Sequence, residues 1–441
     1  MNQRNYRIAA PLLAALSAAA FSAHAAGDAG IALYAGKPPP SWQVKVSGSE
    51  GPEQVLRGES LTMPKPADTQ APNSTVAAGA GTVAGKPGAL TLRWKDAWHA
   101  GLRLDGGPAL DLRPYTAEGT LEFDLNVADL ADGGIYFTMR CGPECNRKVP
   151  YVLPGRALQG KGWQRLSFAL SCFAREDDDF GKVGMPFALE GNGSGEVSVA
   201  NVRLVKRGKP NAECPDQRTV ASTPAILGHA WALGRWEARH QQKLDDIRKL
   251  TVAGKSPQLV FIGDSITEGW ETTGLPVWKR YYEQYHAVGL GFGGDHTENV
   301  LWRLQHGEVD GIEPKVAVLM IGTNNTGDRQ DDPKVTAAGV KAILTELRTR
   351  LPRTKVLLLA VFPREEQPSA HLRRLNESVN ALISGYADGR NVFYANINAA
   401  LVNPDGTLSR DVMPDLLHLS EKGYDIWART LEPGLKKLLS E

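Results

Sequence analysis

The 441-residue chain lacks several features that would assign it a role at once. Neither charge sign is in surplus: 50 Lys and Arg stand against 49 Asp and Glu, a net of +1. That balance argues against a nucleic-acid partner, which calls for a basic face. The apolar, Ala-rich stretch Ile8 to Phe21 holds about 14 residues, where a bilayer-spanning helix needs roughly 20. No later stretch reads as a membrane helix. There is no long low-complexity tract and no internal repeat. Cysteine is scarce, with four in the chain: Cys141, Cys145, Cys172 and Cys214. A zinc site of four thiolates is the lesser reading, because 172 and 214 stand alone.

What is present begins with an address. Arg4 and Arg7 precede the apolar stretch, and Ala23-His24-Ala25 supplies the small-x-small pattern of a signal-peptidase site. The segment 1–26 therefore reads as a cleaved signal peptide rather than an anchor, for export to the periplasm or beyond. In that setting an even cysteine count points to disulfides. Of three pairings, Cys141–Cys145 with Cys172–Cys214 is favoured, the first closing a tight loop through Gly142 and Pro143.

The length allows two or three domains. Residues 27–209 read as a β-sandwich: short runs such as Trp42 to Val46, Leu90 to Trp94, Gly101 to Leu104, Gly119 to Val127, Gly134 to Met139, Trp163 to Leu170 and Val197 to Val205 are punctuated by turn residues. Met63 to Gly88 reads as a long loop, and 210–230 as a linker. From Trp231 to Glu441 the texture becomes α/β. The helical pattern Trp231 to Leu250 comes first. Continuous apolar runs follow at Leu259 to Ile262, Val316 to Ile321 and Val356 to Val361, and they alternate with amphipathic stretches at 333–350, 369–386 and 421–439. That alternation predicts a parallel sheet covered on both faces, with functional groups at the carboxyl ends of its strands.

Four short segments fall at those positions. Gly263-Asp264-Ser265-Ile266-Thr267 follows the first run and puts a serine on a tight turn into a helix, where its backbone N–H can face an oxyanion. Taken alone, Ser265 is equally a helix cap. Gly291-Phe292-Gly293-Gly294-Asp295 offers a free N–H or a mere turn. Gly322-Thr323-Asn324-Asn325 places an amide at a strand end, as an oxyanion donor or an Asx turn. Asp415-Leu416-Leu417-His418 sets a carboxylate within reach of the imidazole Nδ1–H, which frees Nε2 to take a proton. Each is modest; their joint order on one sheet edge is not.

On these four blocks the C-terminal half resembles the SGNH/GDSL hydrolases, above all the platelet-activating-factor acetylhydrolase-like and carbohydrate-acetylesterase branch. The resemblance implies a three-layer αβα, flavodoxin-like fold and a serine esterase. Ser265 would be the nucleophile, His418 the base and Asp415 its orienting acid, with the Ser265 N–H, the Gly294 N–H and the Asn324 side chain as oxyanion hole. It implies no metal or organic cofactor. One departure is Leu416, where the family often has Gly. Ile31 to Trp42, the Cys141/Cys145 region and Gly162 to Phe173 resemble the galactose-binding-like domain of exported bacterial β-glucan glucohydrolases. Together the halves suggest removal of short acyl groups, chiefly acetyl, from a carbohydrate. A lipase or thioesterase, an acyltransferase and a catalytically weak carbohydrate-binding protein are the rival readings. Asp264, Trp270, Asp295, His296 and Asn325, and with them Trp302 and Arg303, flank the motifs as candidate substrate contacts. Trp42, Trp94 and Trp98 are candidates for either sugar stacking or the core.

Overall fold

A computed structural model describes residues 30–440 except 50, 65–73, 131–132, 143–144, 176–177 and 230–231. The signal-peptide reading and Trp231 lie outside the described residues. The C-terminal half is built on five parallel strands in the order Val288–Gly291, Leu259–Gly263, Val316–Met320, Lys355–Leu359, Val392–Ala395. By sequence this is 2-1-3-4-5, the flavodoxin-like order. Leu259–Gly263 and Val316–Met320 are buried at every position, which is why they read as unbroken apolar runs.

Alternation divides these strands between two cores. Val260, Ile262, Ala317 and Leu319 face the helices Thr297–Gln305, Pro333–Arg350 and His371–Ile383. Leu259, Phe261, Val318 and Met320 face Leu275–Tyr281 and Glu421–Ser440. Each fully buried side chain of this size contributes about 1.5–3 kcal/mol, so both layers are held tightly behind the strand ends.

The N-terminal half is an antiparallel sandwich whose two layers share strands. Lys86–Asp105 and Met185–Val205 run side by side as its two longest strands. Their far ends pair with Gln43–Ser47 and Gly134–Gly142, their near ends with Thr75–Val83 and Thr120–Asp129. The change of layer falls where the register breaks around Gly191, Gly193 and Gly195, as bulges make corners in such sheets. Across the layers Phe123 and Phe137 meet at 4.7 Å between ring centroids.

Two expectations are corrected here. The segment read as a loop, Met63 to Gly88, contains the strand Thr75–Val83 and the start of Lys86–Asp105. Its inward residues include Val76 and Ala78, too small to give a strong apolar alternation. The segments Leu90 to Trp94 and Gly101 to Leu104 are one strand, not two. Both favoured disulfides, Cys141–Cys145 and Cys172–Cys214, are formed. The connecting segment is pinned rather than loose: Ala221 O accepts from Thr297 Oγ1 at 2.7 Å and Ala225 O from Asn299 Nδ2 at 2.9 Å. Among the described residues no helix is long and apolar enough to cross a membrane.

Candidate active site

Strand Leu259–Gly263 ends in a turn capped by Asp264, whose Oδ1 accepts from Ile266 N at 3.0 Å. Ser265 is the first residue of the short helix that follows, so its N–H is left without an intrahelical partner. The helix is held from behind by Tyr424, whose hydroxyl donates to Ile266 O at 2.7 Å. The second strand passes so close that a Cβ on Gly291 would collide with the backbone nitrogen of Glu268.

His418 arrives from the turn before the last helix. Its Nε2 lies 2.9 Å from Ser265 Oγ, and its Nδ1 lies 2.6 Å from Asp415 Oδ2. Asp415 Oδ1 also accepts from the backbone N–H groups of Leu417 and His418, at 3.0 and 2.7 Å. Partial burial raises the Asp415 carboxyl, but the His418 and backbone hydrogen bonds outweigh it and hold it below its ordinary value. The turn closes with Leu416 in the left-handed region, at φ 62°. Here a residue with Cβ takes a conformation that glycine adopts without penalty.

The two other blocks meet beside this pair. Gly294 has φ 85°, a conformation that favours glycine. Its loop is tied to the strand that leads to Ser265 by Phe292 N donating to Gly263 O at 3.1 Å. Asn324 Nδ2 donates to Asp295 O at 2.8 Å. One amide hydrogen is thereby committed, which fixes the plane and leaves the second to point elsewhere. Ser265, Gly294, Asn324 and His418 are all half-buried, while Asp264, Asp295 and Asn325 beside them are buried. Parallel pairing of the three strands carries the first three motifs to one sheet edge, and the Ser265–His418 contact brings the fourth there.

The flanking candidates sort differently. Trp270 has no exposed surface and packs on Tyr424 at 4.5 Å, behind the site. Asp264 is wholly buried; burial pushes its carboxyl up to about 6, and its Oδ2 has no hydrogen-bond partner. Asn325 bonds Thr297 and Asp331 inside the fold. Asp295 and Arg303 are fully buried against each other, Arg303 Nε donating to Asp295 Oδ2 at 2.8 Å. Trp236 Nε1 bonds Asp295 Oδ1 at 2.6 Å, Glu308 takes another guanidinium N–H, and the Arg303 guanidinium lies 3.8 Å over the Phe292 ring. Trp302 packs on His306 and Trp236. Asp264, Trp270, Asp295, Asn325, Trp302 and Arg303 are therefore supports: Asp264, Asp295 and Asn325 because side chains next to the outward-facing residue turn inward, Trp270 and Arg303 because they are fully buried, and half-buried Trp302 because its ring is taken up by Trp236 and His306. His296 alone of this group lines the opening.

Sequence reasoning missed His229, Asp328, Tyr136 and Lys148, which line the same opening as His296. His229 Nε2 and Asp328 Oδ2 lie 3.3 Å apart, and His296 Nε2 lies 3.7 Å from the same oxygen. His229, His296 and Asp328 are the one group of metal-ligand type outside the disulfides among the described residues. Lys148 of the sandwich stands over Tyr136 at 4.4 Å. None of these sits in a local pattern, so no sequence signal marks them.

Both halves of the chain match known family models. Residues 261–426 match the model of the GDSL-like lipase/acylhydrolase family, and 68–204 match a galactose-binding domain-like model named Exop_C. The α1 subunit of platelet-activating factor acetylhydrolase IB from Bos taurus is 34% identical over 224 residues, 50% of this chain and 91% of that protein. A GDSL-like lipase from Bacteroides thetaiotaomicron is 22% identical, with a TM-score of 0.36, covering 44% of this chain and 98% of its own. The extra C-terminal domain of the exo-1,3/1,4-β-glucanase ExoP from a Pseudoalteromonas species is 13% identical, with a TM-score of 0.33, covering 42% and 96%. With a relative at 34% identity covered over nine-tenths of its length, and the family model matched from the strand before Ser265 to the last helix, the chain belongs to the GDSL-like lipase/acylhydrolase family.

Proposed function

We propose that the protein is an exported serine esterase that removes acetyl groups from a carbohydrate. The observation that supports it is the hydrogen-bonded line Ser265 Oγ, His418 Nε2, His418 Nδ1 and Asp415 Oδ2, at 2.9 and 2.6 Å, opening beside Gly294 and Asn324. Acetyl as the acyl group follows the name of the relatives, acetylhydrolase. Carbohydrate follows the galactose-binding domain-like half. Export follows the N-terminal segment and the two disulfides.

In this reading Ser265 Oγ attacks the ester carbonyl carbon while its proton passes to His418 Nε2. The oxyanion is held by the N–H groups of Ser265 and Gly294 and by the free amide hydrogen of Asn324. Asp415 accepts from Nδ1–H and stabilises the imidazolium. The C–O bond then breaks, and His418 returns the proton to the departing sugar hydroxyl. Water, deprotonated by His418, attacks the acyl-enzyme, releasing acetate and restoring Ser265. Replacing Ser265→Ala is expected to abolish p-nitrophenol release from p-nitrophenyl acetate. Hydrolysis at the wild-type rate in that variant overturns the reading.

A further inference from the structure

The opening beside Gly294 and Asn324 leads into a cavity of about 630 Å³, and the hydrolase half supplies only part of its wall. His296 and Asp328 line one side. The facing wall belongs to the sandwich, with Trp98, Tyr136, Lys148 and Asn192, and His229 of the connecting segment lies between.

The corner of the sandwich explains how it arrives there. Ala97 pairs with Gly193, Ala100 with Gly191 and Trp94 with Gly195, so the register breaks on both sides of Ala97, once across Trp98. Asp96 takes φ 49° and its N–H is held by Ser194 Oγ at 3.1 Å. Trp94, just before the corner, is buried and donates to Asn192 O at 2.9 Å. A Cβ on Gly191 or Gly195 would lie 2.6 Å from the Trp94 ring, so glycine is what lets that ring fold in. Trp98, just after the corner, is turned out and 63% exposed. One tryptophan builds the corner; the other is left as an aromatic face on the cavity's rim.

Behind that face stands a set of fixed polar groups. Asn192 Nδ2 donates to Tyr136 Oη at 3.1 Å, and Tyr136 Oη meets His229 Nδ1 at 3.3 Å. His229 Nε2 meets Asp328 at 3.3 Å. His296 Nε2 is different: it is buried, its side chain 4% exposed, and it stands off Asp328 Oδ2 at 3.7 Å, beyond hydrogen-bond length, with no hydrogen-bond partner within the protein. A buried ring nitrogen without a partner is costly unless a ligand supplies one. An exposed aromatic face and an uncommitted polar nitrogen, on a wall carrying both charge signs, do not suit a long acyl chain. They suit a ring with an apolar C–H face and hydroxyls at its edge.

We propose that this inter-domain cavity binds a sugar ring of the ester substrate, with Trp98 as its stacking face and His296 Nε2 bonded to one of its oxygens, so that the sandwich sets the specificity of the hydrolase. The proposal rests on the esterase reading above. Acetylated xylo-, manno- and galacturono-oligosaccharides are compared with p-nitrophenyl acetate as substrates of the full chain. For the best-hydrolysed oligosaccharide, Trp98→Ala is expected to lower the ratio of its kcat/KM to that of p-nitrophenyl acetate about tenfold, mainly through KM, and Trp98→Phe to restore most of it. Because Trp98 is exposed, its loss leaves the core intact. As a second measurement, the same oligosaccharide is titrated calorimetrically into Ser265→Ala and into Ser265→Ala/Trp98→Ala, and about tenfold weaker binding is expected in the latter. An unchanged ratio with unchanged binding overturns the proposal, as does deacetylation of none of the three oligosaccharides above the Ser265→Ala background while p-nitrophenyl acetate is cleaved. That last outcome leaves the esterase reading standing. Persistent p-nitrophenyl acetate cleavage by Ser265→Ala removes both.

Discussion

Arg303 is the strongest test of how the Gly294 loop is held. Its side chain has no exposed surface, and it stands between Asp295 and Glu308, which also have none. Burial alone pushes both carboxyls up; Arg303 opposes that for each, and Asp295 still sits at about 7. Arg303→Met keeps most of the volume over Phe292 but leaves two buried carboxyl groups without their cation. Removing one partner of a buried ion pair costs about 3–5 kcal/mol. For a unit of about 200 residues that lowers the melting temperature by roughly 10 °C. The sign of the pH dependence follows from the raised carboxyls. A carboxyl whose folded pKa exceeds its unfolded one loses stability as pH rises from the unfolded value, near 4, through the folded one. With Arg303 gone both pKa values move further up, so the deficit should be larger at about pH 8 than at about pH 5.5. Differential scanning calorimetry of wild type, Arg303→Met and the triple variant Arg303→Met/Asp295→Asn/Glu308→Gln checks this, the triple variant recovering much of the loss. A melting temperature within about 2 °C of wild type at both pH values would refute the argument.

Two further outcomes follow from the site. Asp264 is buried with one oxygen unpartnered and its carboxyl raised to about 6 from 3.8. The same sign applies: its penalty develops as pH rises from about 4 to about 6, and reaches about 2–3 kcal/mol at neutrality. Asp264→Asn should therefore be more stable than wild type by about that amount at about pH 7 and by far less at about pH 4, read from urea unfolding; equal differences at both would count against it. Asn324→Ala removes one oxyanion donor, and kcat on p-nitrophenyl acetate should fall by ~10²–10³ with little change in KM. A loss under about threefold would take Asn324 out of the oxyanion hole.

What the sequence made legible was local. Ser265, Gly294 and Asn324 each follow a strand, and two of those strands, Leu259–Gly263 and Val316–Met320, show as continuous apolar runs because both faces are covered. Asp415 and His418 are three residues apart, so one turn brings them together. What was not legible depends on contacts between distant segments. Asp264, Asp295 and Asn325 stand next to motif residues and were read as neighbours of the substrate. Their side chains are buried inward, where burial and pairing, not sequence proximity, decide their role. Thr75–Val83 was missed because its buried face is made of small residues. His229, Tyr136 and Lys148 come from segments with no shared pattern, and only the docking of the two halves brings them to one cavity.

That docking also bears on the proposed oxyanion donors. The helix Thr323–Gly327, which carries Asn324, runs into a segment where Arg329 pairs with Glu298 and Asp331. Asp331 in turn accepts from Asn325 at 3.2 Å. Arg175 of the sandwich reaches into this cluster. It donates to Arg329 O at 2.9 Å and to Asp331 Oδ1 at 3.3 Å, and bonds Gln330 O as well. Burial depresses its guanidinium to about 10, yet at neutral pH it remains a cation among these acceptors. The residue after the proposed oxyanion donor is therefore fixed by a network whose last member belongs to the other half of the chain. A sandwich that only tethered the enzyme to a surface would need no buried arginine in the hydrolase. One that shapes the site does, because an oxyanion hole tolerates little displacement of its donors.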